Sequence, residues 1–392
     1  MSSLGSKPST AVALVFLATF TDILAYSIAV PVLPDLSARL GASPTVIGLL
    51  FASFGVTLLA TSIPMGAVSD RVGRRTPMVA GLAALAGSSV LFAFSEQLPL
   101  LFAARMVQGA ADAITWVVGL ALIADLYGPN ERGRVTGIIM SGTGLAFMLG
   151  PSIGGWLYEI GGIRLPFLVV AALAAVVLCG FLWLPIQAPK TSRRSVTLLS
   201  AISAPAMVLC LAAVVAASGT IAMLEPVLVL QLETIDINPG RVGTLFGVAA
   251  LATSILNPLY GRLADRVGAW PLMVAGLLLS AAALPLLGRT QTFGSAVLCY
   301  SLEASAIALV ITPSLSFMAE AASSQKGDES FGLAYGLYNV GWGIGLLAGP
   351  AAGGFLFERL GFLQLTLWWA PALLIVTAGL ARVRQKLRTR SS

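Results

Sequence analysis

Histidine is absent from the 392 residues, and charged residues make up only 10% of them. Soluble domains carry roughly 25% charged residues, so this chain has too few charges to coat a soluble body of its size. The three cysteines, Cys179, Cys210 and Cys299, lie in apolar stretches without metal-ligand spacing, which indicates packed thiols rather than disulfides or a metal site. Without histidine, any proton chemistry in the interior must use carboxylates.

The sequence also lacks the signatures of enzymes and of nucleic-acid-binding proteins. No nucleophile–base set, metal cluster or phosphate loop stands out, so we expect no catalytic residues, no metal and no cofactor. The net charge of +6 comes from bases in short connectors and in the C-terminal tail. That distribution indicates membrane topology and contact with lipid head groups, and it argues against a nucleic-acid partner.

Hydrophobic residues make up 57% of the chain, and its mean hydropathy is +0.91. A membrane-spanning helix needs about 20 mostly apolar residues. The apolar runs between charged breaks predict twelve spans, near 11–34, 45–69, 76–95, 98–125, 134–158, 164–186, 198–232, 241–264, 270–288, 292–320, 330–357 and 362–381. We therefore predict an all-α membrane protein of two six-helix halves, residues 1–186 and 198–392, joined by a cytoplasmic linker at 187–197.

The distribution of bases predicts the orientation. With the N-terminus inside, the outer connectors hold only five bases, which are Arg39, Arg164, Arg241, Arg289 and Arg359. Because positive charge is retained on the cytoplasmic side, both termini are predicted to be cytoplasmic. None of the four asparagines begins a glycosylation sequon, which favours a bacterial inner membrane.

Two motifs occur twice. Gly66–Arg75 recurs in weaker form as Gly261–Gly268, and Gly150-Pro151-Ser-Ile-Gly154-Gly155 recurs as Gly349-Pro350-Ala-Ala-Gly353-Gly354. Two like halves in a membrane protein predict a site at their interface and a rocking motion around it, which is the design of a carrier.

These motifs resemble those of the major facilitator superfamily, specifically its twelve-span drug:proton antiporters. Gly66–Arg75 is similar to the signature between the second and third helices, and Arg105-Met-Val-Gln-Gly109 to the motif of the fourth. The antiporter motif of the fifth helix begins at Gly137, with Ala146 at one glycine position. The second half carries it in full from Gly336 through Gly345.

A closer resemblance is to the vesicular monoamine transporters and their bacterial homologues. It rests on Asp22 followed by Pro31 and Pro34, on Ile221–Pro226, and on Glu131-Arg-Gly leading into the fifth helix. Asn339 stands where those transporters carry an acid, and their long first luminal loop is missing. The resemblance implies proton-driven exchange of amines by a monomer.

Four acids fall inside predicted spans: Asp22, Asp112, Glu225 and Glu303. A charge at the bilayer centre costs about 3 kcal/mol on insertion scales, so these acids, with Arg105, imply an aqueous cavity or paired partners. Burial favours the neutral form, so such a carboxyl binds either a proton or an organic cation. Competition for one carboxylate is the simplest mechanism of exchange.

Each of these residues also has a structural interpretation. Asp22 could form a helix–helix hydrogen bond near Thr19 or Thr21, and Glu225 could satisfy backbone freed by Pro226. The stripe of Arg105, Gln108, Asp112 and Trp116 is either a proton relay, with the indole stacking on a cation, or a structural ion pair. The resemblance to the family assigns no role to Glu303. A further set of polar and aromatic residues either lines the cavity or only packs between helices and at the membrane interface. The set consists of Tyr26, Asn257, Tyr300, Tyr335, Tyr338, Asn339 and Trp342.

A second group is expected to control conformation rather than to bind. Asp70, Arg71 and Arg74 at the cytoplasmic edge are predicted to latch the halves through salt bridges, or else only to set topology. Close helix packing and bending are predicted at the repeated glycine–proline motif, at Gly150, Pro151, Gly154, Gly349 and Pro350.

Together these features predict a proton-coupled antiporter that exports amphipathic organic cations such as monoamines, drugs and dyes by alternating access. The alternative is an exporter of a neutral solute such as a sugar, which the acids Asp22 and Glu225 argue against.

Overall fold

The computed structural model describes residues 8–183, 205–323 and 330–391, and these residues form helices joined by short connections. The helices are α1 (Pro8–Ser27), α2 (Leu33–Leu40), α3 (Pro44–Val72), α4 (Arg75–Phe94), α5 (Leu98–Leu126), α6 (Pro129–Gly161), α7 (Arg164–Trp183), α8 (Pro205–Glu233), α9 (Pro239–Val267), α10 (Ala269–Leu287), α11 (Phe293–Ser323) and α12 (Ser330–Ser391). A short 3-10 turn, Val30–Val32, separates α1 from α2.

Proline marks the first residue of five helices, Pro8, Pro44, Pro129, Pro205 and Pro239. Its fixed φ suits the first helical turn, where its missing N–H has no intrahelical acceptor to lose. The motif that occurs as Gly66–Arg75 and Gly261–Gly268 ends α3 and α9 in the same way, because Gly73 (φ 85°) and Gly268 (φ 88°) both adopt positive φ. Glycine reaches this region without strain, so both copies stop the helix at the same motif position.

Eleven stretches of the described chain are long and apolar enough to cross a membrane. The last of them lies in α12, whose 62 residues leave helical geometry at Gly361, so α12 consists of two arms. The predicted all-α fold with twelve helices is therefore confirmed. The predicted linker 187–197 lies outside the described residues, and the proposed boundaries of the halves stay a prediction.

Pro31 and Pro226, which lie 195 residues apart in the chain, affect their helices differently. Pro31 lies in the 3-10 turn that interrupts the first span. Pro226, beside Glu225, lies inside the continuous helix α8. Proline provides no N–H for the carbonyl one turn earlier, so α8 lacks one backbone hydrogen bond beside Glu225 even though its helical course continues.

The described residues fall into two compact units. The first lies within Met1–Ala42, Ser53–Arg194 and Pro239–Gly243, and the second within Ser43–Ala52, Ser195–Asn238 and Thr244–Ser392. Each unit therefore includes the opening residues of one helix, α9 or α3, whose remainder belongs to the other unit.

In the first unit, α1 packs on α5 and α6, and α4 packs on α5 and α7. Its apolar core includes Val15, Met78, Leu82, Val118 and Phe181, all at most 2% exposed. In the second unit, α8 packs on α12, and α10 packs on α11. Large apolar side chains such as Val176, Ile255 and Ile375 are exposed on the helices. A helix with buried polar residues and exposed apolar ones suits lipid as its surroundings.

Candidate functional site

A pair of buried aspartates lies in the first unit, on α1 and α5. Asp22 is 0% exposed and Asp112 is 2% exposed, and their carboxyls interact electrostatically. The Thr115 hydroxyl lies 2.9 Å from Asp22 Oδ2 and 3.0 Å from the Asp112 backbone carbonyl, and its single hydrogen is shared between these two acceptors. Among the described residues, neither Asp22 Oδ1 nor Asp112 Oδ1 has a hydrogen-bond partner. The structure thus brings two predicted site acids together in the protein interior.

The Asp22 carboxyl is not held by the residues that the structural interpretation named. Thr19 donates to the carbonyls of Val15 and Phe16 in its own helix. The partner on Asp22 comes from α5, three residues after Asp112, and the indole of Trp116 interacts with the Asp112 carboxyl. Thr115 and Asp112 therefore lie on the side of α5 that faces α1, where they provide a hydroxyl donor and a carboxyl.

Arg105 is fully buried and is held by groups on α1, α4 and α5. Both terminal nitrogens donate to the Tyr26 carbonyl at 3.3 Å, and Nη1 also donates to Gln108 Oε1 at 3.2 Å. The guanidinium lies over the rings of Tyr26 and Phe92, each with its centroid 5.5 Å away. Planar stacking and forked donation are properties of arginine that lysine does not share. Arg105 therefore fixes the backbone of α1 one turn beyond Asp22.

The second unit holds its own buried acids. Glu225 on α8 and Glu303 on α11 are each 1% exposed. The Ser280 hydroxyl on α10 donates to Glu303 Oε1 at 2.5 Å. Tyr300, one turn before Glu303 on α11, interacts electrostatically with both glutamates and packs edge-on against Phe246. These groups form a cluster of two acids, a phenol and a hydroxyl, which we call the glutamate cluster.

The predicted aromatic stripe of α12 is present in part. The rings of Tyr338 and Trp342 are stacked, with centroids 6.5 Å apart and planes 17° from parallel. Tyr338 is buried, whereas Asn339 and Trp342 are half-buried. The side chain of Tyr335 lies outside the described part. Asn257 accepts a hydrogen bond from Thr312 at 2.9 Å, which joins α9 to α11.

Arg74 forms the centre of the Gly66–Arg75 motif in the first unit. It contacts Asp70 Oδ1 at 2.6 Å, Asp125 Oδ2 at 2.8 Å and the Ser69 hydroxyl at 2.7 Å. Burial disfavours the charged guanidinium, but hydrogen bonds and charges from Asp125 and Asp70 outweigh that effect and raise the pKa of Arg74. These bonds join the ends of α3 and α5 within one unit, and the predicted latch between halves stays a prediction.

The other arginines of this motif differ from Arg74. Arg71 is exposed. Arg75 donates to the carbonyls of Phe181 and Leu182 near the end of α7. A cation at the C-terminal end of a helix is stabilised by its unsatisfied carbonyls and its dipole. Arg75 thereby ties the start of α4 to the end of α7, a role that sequence reasoning did not assign.

Each copy of the glycine–proline motif packs closely on a neighbouring helix. A Cβ at Gly150 would overlap the Ser27 hydroxyl, and one at Gly154 would overlap the Ile28 carbonyl, so this face of α6 presses on the end of α1. A Cβ at Gly349 would overlap the Gly219 carbonyl and lie 3.0 Å from Met223 N, which places the same face of α12 on α8. The predicted close packing is therefore present at the glycines of both copies, and Pro151 and Pro350 are buried beside them.

The last glycine of each copy forms a close helix crossing, which is reciprocal in the second unit. In the second unit, a Cβ on Gly48 would overlap the Pro350 carbonyl, and one on Gly354 would overlap the Pro44 carbonyl. Each of these Cβ atoms would lie 3.0 Å from the other glycine's Cα. In the first unit, Gly155 on α6 meets α9 in the same way, with a Cβ overlapping the Pro239 carbonyl and 3.2 Å from Gly243 Cα. The two crossings are copies of one arrangement.

An acid accompanies each crossing at the start of the contacted helix. Glu358 Oε2 accepts from the Ser43 hydroxyl at 2.7 Å and from the Thr45 backbone N–H at 2.9 Å. The Glu159 carboxyl lies against Gly240. Carboxylates are stabilised at helix N-termini by free N–H groups and the dipole. Both acids stand 199 residues apart in the chain, so they belong to the same repeat.

Sequence reasoning missed Thr115, Ser280, Glu159 and Glu358. Two of these residues could have been found from the sequence pattern alone. Thr115 continues the stripe of Gln108 and Asp112 at helical spacing, and Ser280 is the single hydroxyl in an otherwise apolar α10. The two glutamates could be found only by aligning the repeats.

The chain is similar in sequence to amine transporters. It is 29% identical over 338 residues to the chromaffin granule amine transporter of Rattus norvegicus, covering 81% of this chain and 61% of the relative. It is 29% identical over 322 residues to the human synaptic vesicular amine transporter, covering 81% and 62%. It is 28% identical over 373 residues to the human MFS-type transporter SLC18B1, covering 90% and 80%. The chain thus spans about three fifths of the length of the two amine transporters.

The fold is similar to a bacterial homologue of the human lysosomal transporter Spinster, with a TM-score of 0.81, 16% identity, and coverage of 97% of this chain and 98% of that one. The human organic anion transporter MFSD10 gives a TM-score of 0.69 at 20% identity, over 95% and 99%. The sequence pattern of the Major Facilitator Superfamily matches residues 15–224 and again residues 207–391. The chain therefore belongs to the major facilitator superfamily of multispanning membrane transporters.

Proposed function

We propose that this transporter exchanges protons for amphipathic organic cations, such as monoamines, drugs and dyes, and exports the cation. The observation that carries the proposal is the Asp22–Asp112 pair, two interacting carboxyls buried on facing helices with one hydroxyl donor between them. Relatives that transport amines support the choice of substrate class.

The pair favours cation binding for an electrostatic reason. Two carboxylates in an interior that excludes water repel each other strongly, so they rarely ionise together. Thr115 donates to Asp22 and the Trp116 indole interacts with Asp112, which is too little to stabilise two negative charges side by side. The pair therefore gains most when a proton or an organic ammonium joins it, and the two cations compete.

Glu225 gives the second unit an acid of the same kind, beside the weakened turn at Pro226. Tyr338 and Trp342 offer stacked aromatic faces, and a cation near such faces is stabilised by the ring quadrupoles. In the proposed cycle, a proton entering from outside neutralises an acid and releases the organic cation outward. The protein then returns with its proton, which leaves on the cytoplasmic side.

The proposal places the protein as a monomer in a bacterial inner membrane with both termini cytoplasmic. The bias of bases toward the inner connectors supports this orientation. Cysteine scanning with an impermeant maleimide on inverted and right-side-out vesicles tests it. Labelling of the C-terminal tail from outside an intact cell would contradict it.

The central experiment measures proton release on ligand binding. Purified protein in weakly buffered detergent receives tetraphenylphosphonium, a cation without a titratable proton, while a pH dye reports protons. We expect release in the wild type, because the added cation displaces protons from the carboxyls. The alternative of a neutral solute predicts no release with any cation and binding of uncharged sugars.

Two variants and one control sharpen the result. Asp22→Asn and Glu225→Gln should each lower the protons released per cation bound. The matched control is Glu96→Gln, which neutralises an exposed acid in the connection between α4 and α5. Full proton-driven uptake by Glu225→Gln in proteoliposomes would contradict its proposed role.

A further inference from the structure

The glutamate cluster contains a buried acid that neither the family motifs nor the cation exchange at Asp22 accounts for. Glu303 lies between α10 and α11, is 1% exposed, and accepts one hydrogen bond from Ser280. Among the described residues, its other oxygen, Oε2, has no hydrogen-bond partner. The rest of α10 between Ala269 and Leu287 is apolar or aromatic.

A purely structural role does not explain this acid. A single hydrogen bond contributes a small net stabilisation, whereas a buried polar atom without a partner has a larger cost. An apolar side chain of similar volume would therefore fit this position equally well or better. A group that alternates between a neutral and a charged form does account for both the hydroxyl donor and the unused oxygen.

The groups around Glu303 leave it without a strong fixed counter-charge. Tyr300 lies one turn away on its own helix and interacts with both Glu303 and Glu225. The facing helix α10 contributes Ser280 and no charged residue, and α8 contributes Glu225 and, at its last residue, Glu233. The charged residues of the other helices packed against α11 lie toward their ends: Arg241, Arg262, Asp265 and Arg266 on α9, and Glu358, Arg359 and the terminal bases on α12.

We infer that Glu303 is a proton-binding site of the second unit, held by Ser280 and linked through Tyr300 to Glu225, and that it binds protons without binding the organic cation. The inference rests on the proposed exchange function and adds a site to it. Glu225 meets the cation, and Glu303 takes up or gives off a proton as the charge on Glu225 changes. Tyr300 is the group that links them, because it interacts with both acids.

The test compares cation binding with proton release in the same protein. Glu303→Gln should bind tetraphenylphosphonium within about three-fold of wild type, since the residue does not touch the cation, yet release fewer protons per cation bound. Glu96→Gln is the control. Ser280→Ala should shift the midpoint of the release profile toward higher pH, because the hydroxyl donates to the carboxylate.

Each outcome decides the matter. A Glu303→Gln protein with normal proton release and an unchanged pH profile overturns the inference. Should that variant fail to fold, an unchanged profile in Ser280→Ala overturns it instead. A wild type that releases no protons refutes the proposed function itself, so the two failures are distinguishable.

Discussion

The crossing of α3 and α12 predicts a sharp effect of one methyl group. Gly48→Ala places a Cβ against the Pro350 carbonyl and 3.0 Å from Gly354 Cα. Both neighbours are backbone atoms, so no side chain can rotate away and the helices must separate. We expect the variant to be less stable than the wild type.

The magnitude follows from two opposing effects. Overpacking of a close contact costs typically about 1–3 kcal/mol. Alanine in place of glycine inside a helix recovers about 0.5–1 kcal/mol. The net destabilisation by Gly48→Ala therefore lies in the range of about 0–2.5 kcal/mol. Gly87→Ala on α4 is the matched control, because nothing lies within 4 Å of its Cβ, and it should stabilise by about 0.5–1 kcal/mol.

Thermal unfolding in detergent measures both variants. In a Cys179→Ser, Cys299→Ser background, a maleimide dye reports exposure of the buried Cys210 as the protein unfolds. At roughly 2 °C per kcal/mol, the midpoints should move in opposite directions, downward for Gly48→Ala and upward for Gly87→Ala.

The reciprocal geometry adds a second requirement. Gly354→Ala alone should be as harmful as Gly48→Ala, since its Cβ meets the Pro44 carbonyl and Gly48 Cα. Once one methyl has separated the helices, the second meets less resistance, so the double variant should lose less stability than the sum of the singles. Equal stability of Gly48→Ala and Gly87→Ala would refute the reasoning, as would strict additivity of the pair.

Three further variants test contacts in the first unit. Thr115→Val removes the hydroxyl that donates to Asp22, with little change in side-chain volume. It should change the pH dependence of cation binding while the unfolding midpoint stays within a few degrees. An unchanged pH profile would contradict the assigned contact. Arg105→Lys should lower transport at least ~10-fold, because one ammonium cannot donate two parallel hydrogen bonds to the Tyr26 carbonyl and also stack on two rings. Near-normal uptake would show that the paired hydrogen bonds are dispensable. Arg74→Gln removes the contact to Asp125 and, since both acids are partly exposed, should cost only about 1–2 kcal/mol, seen as a lower midpoint that Asp125→Asn partly restores.

Much of the fold could be predicted because membrane spans follow from composition. Apolar runs of the required length, bounded by charges and prolines, fixed the number of helices. The interruption at Val30–Val32 and the continuity at Pro226 could not be read in advance. Proline removes a donor in both places, and the surrounding packing decides whether the helix bends, breaks or continues.

The candidate site was predictable by residue type rather than by partner. Intramembrane acids are costly, so Asp22, Asp112, Glu225 and Glu303 stood out from the sequence. Their hydrogen-bond donors did not, because Thr115 and Ser280 are ordinary residues in helices and become informative only when a neighbouring helix places an acid beside them.

The division of the chain into units has a practical consequence for how the protein can be cut. Each unit contains residues from both sides of the predicted linker at 187–197, since Ser43–Ala52 belongs to the second and Pro239–Gly243 to the first. A nick introduced in that linker therefore yields two fragments, neither of which owns a whole unit. The two polypeptide fragments should co-purify as one complex, and either fragment expressed alone should be degraded.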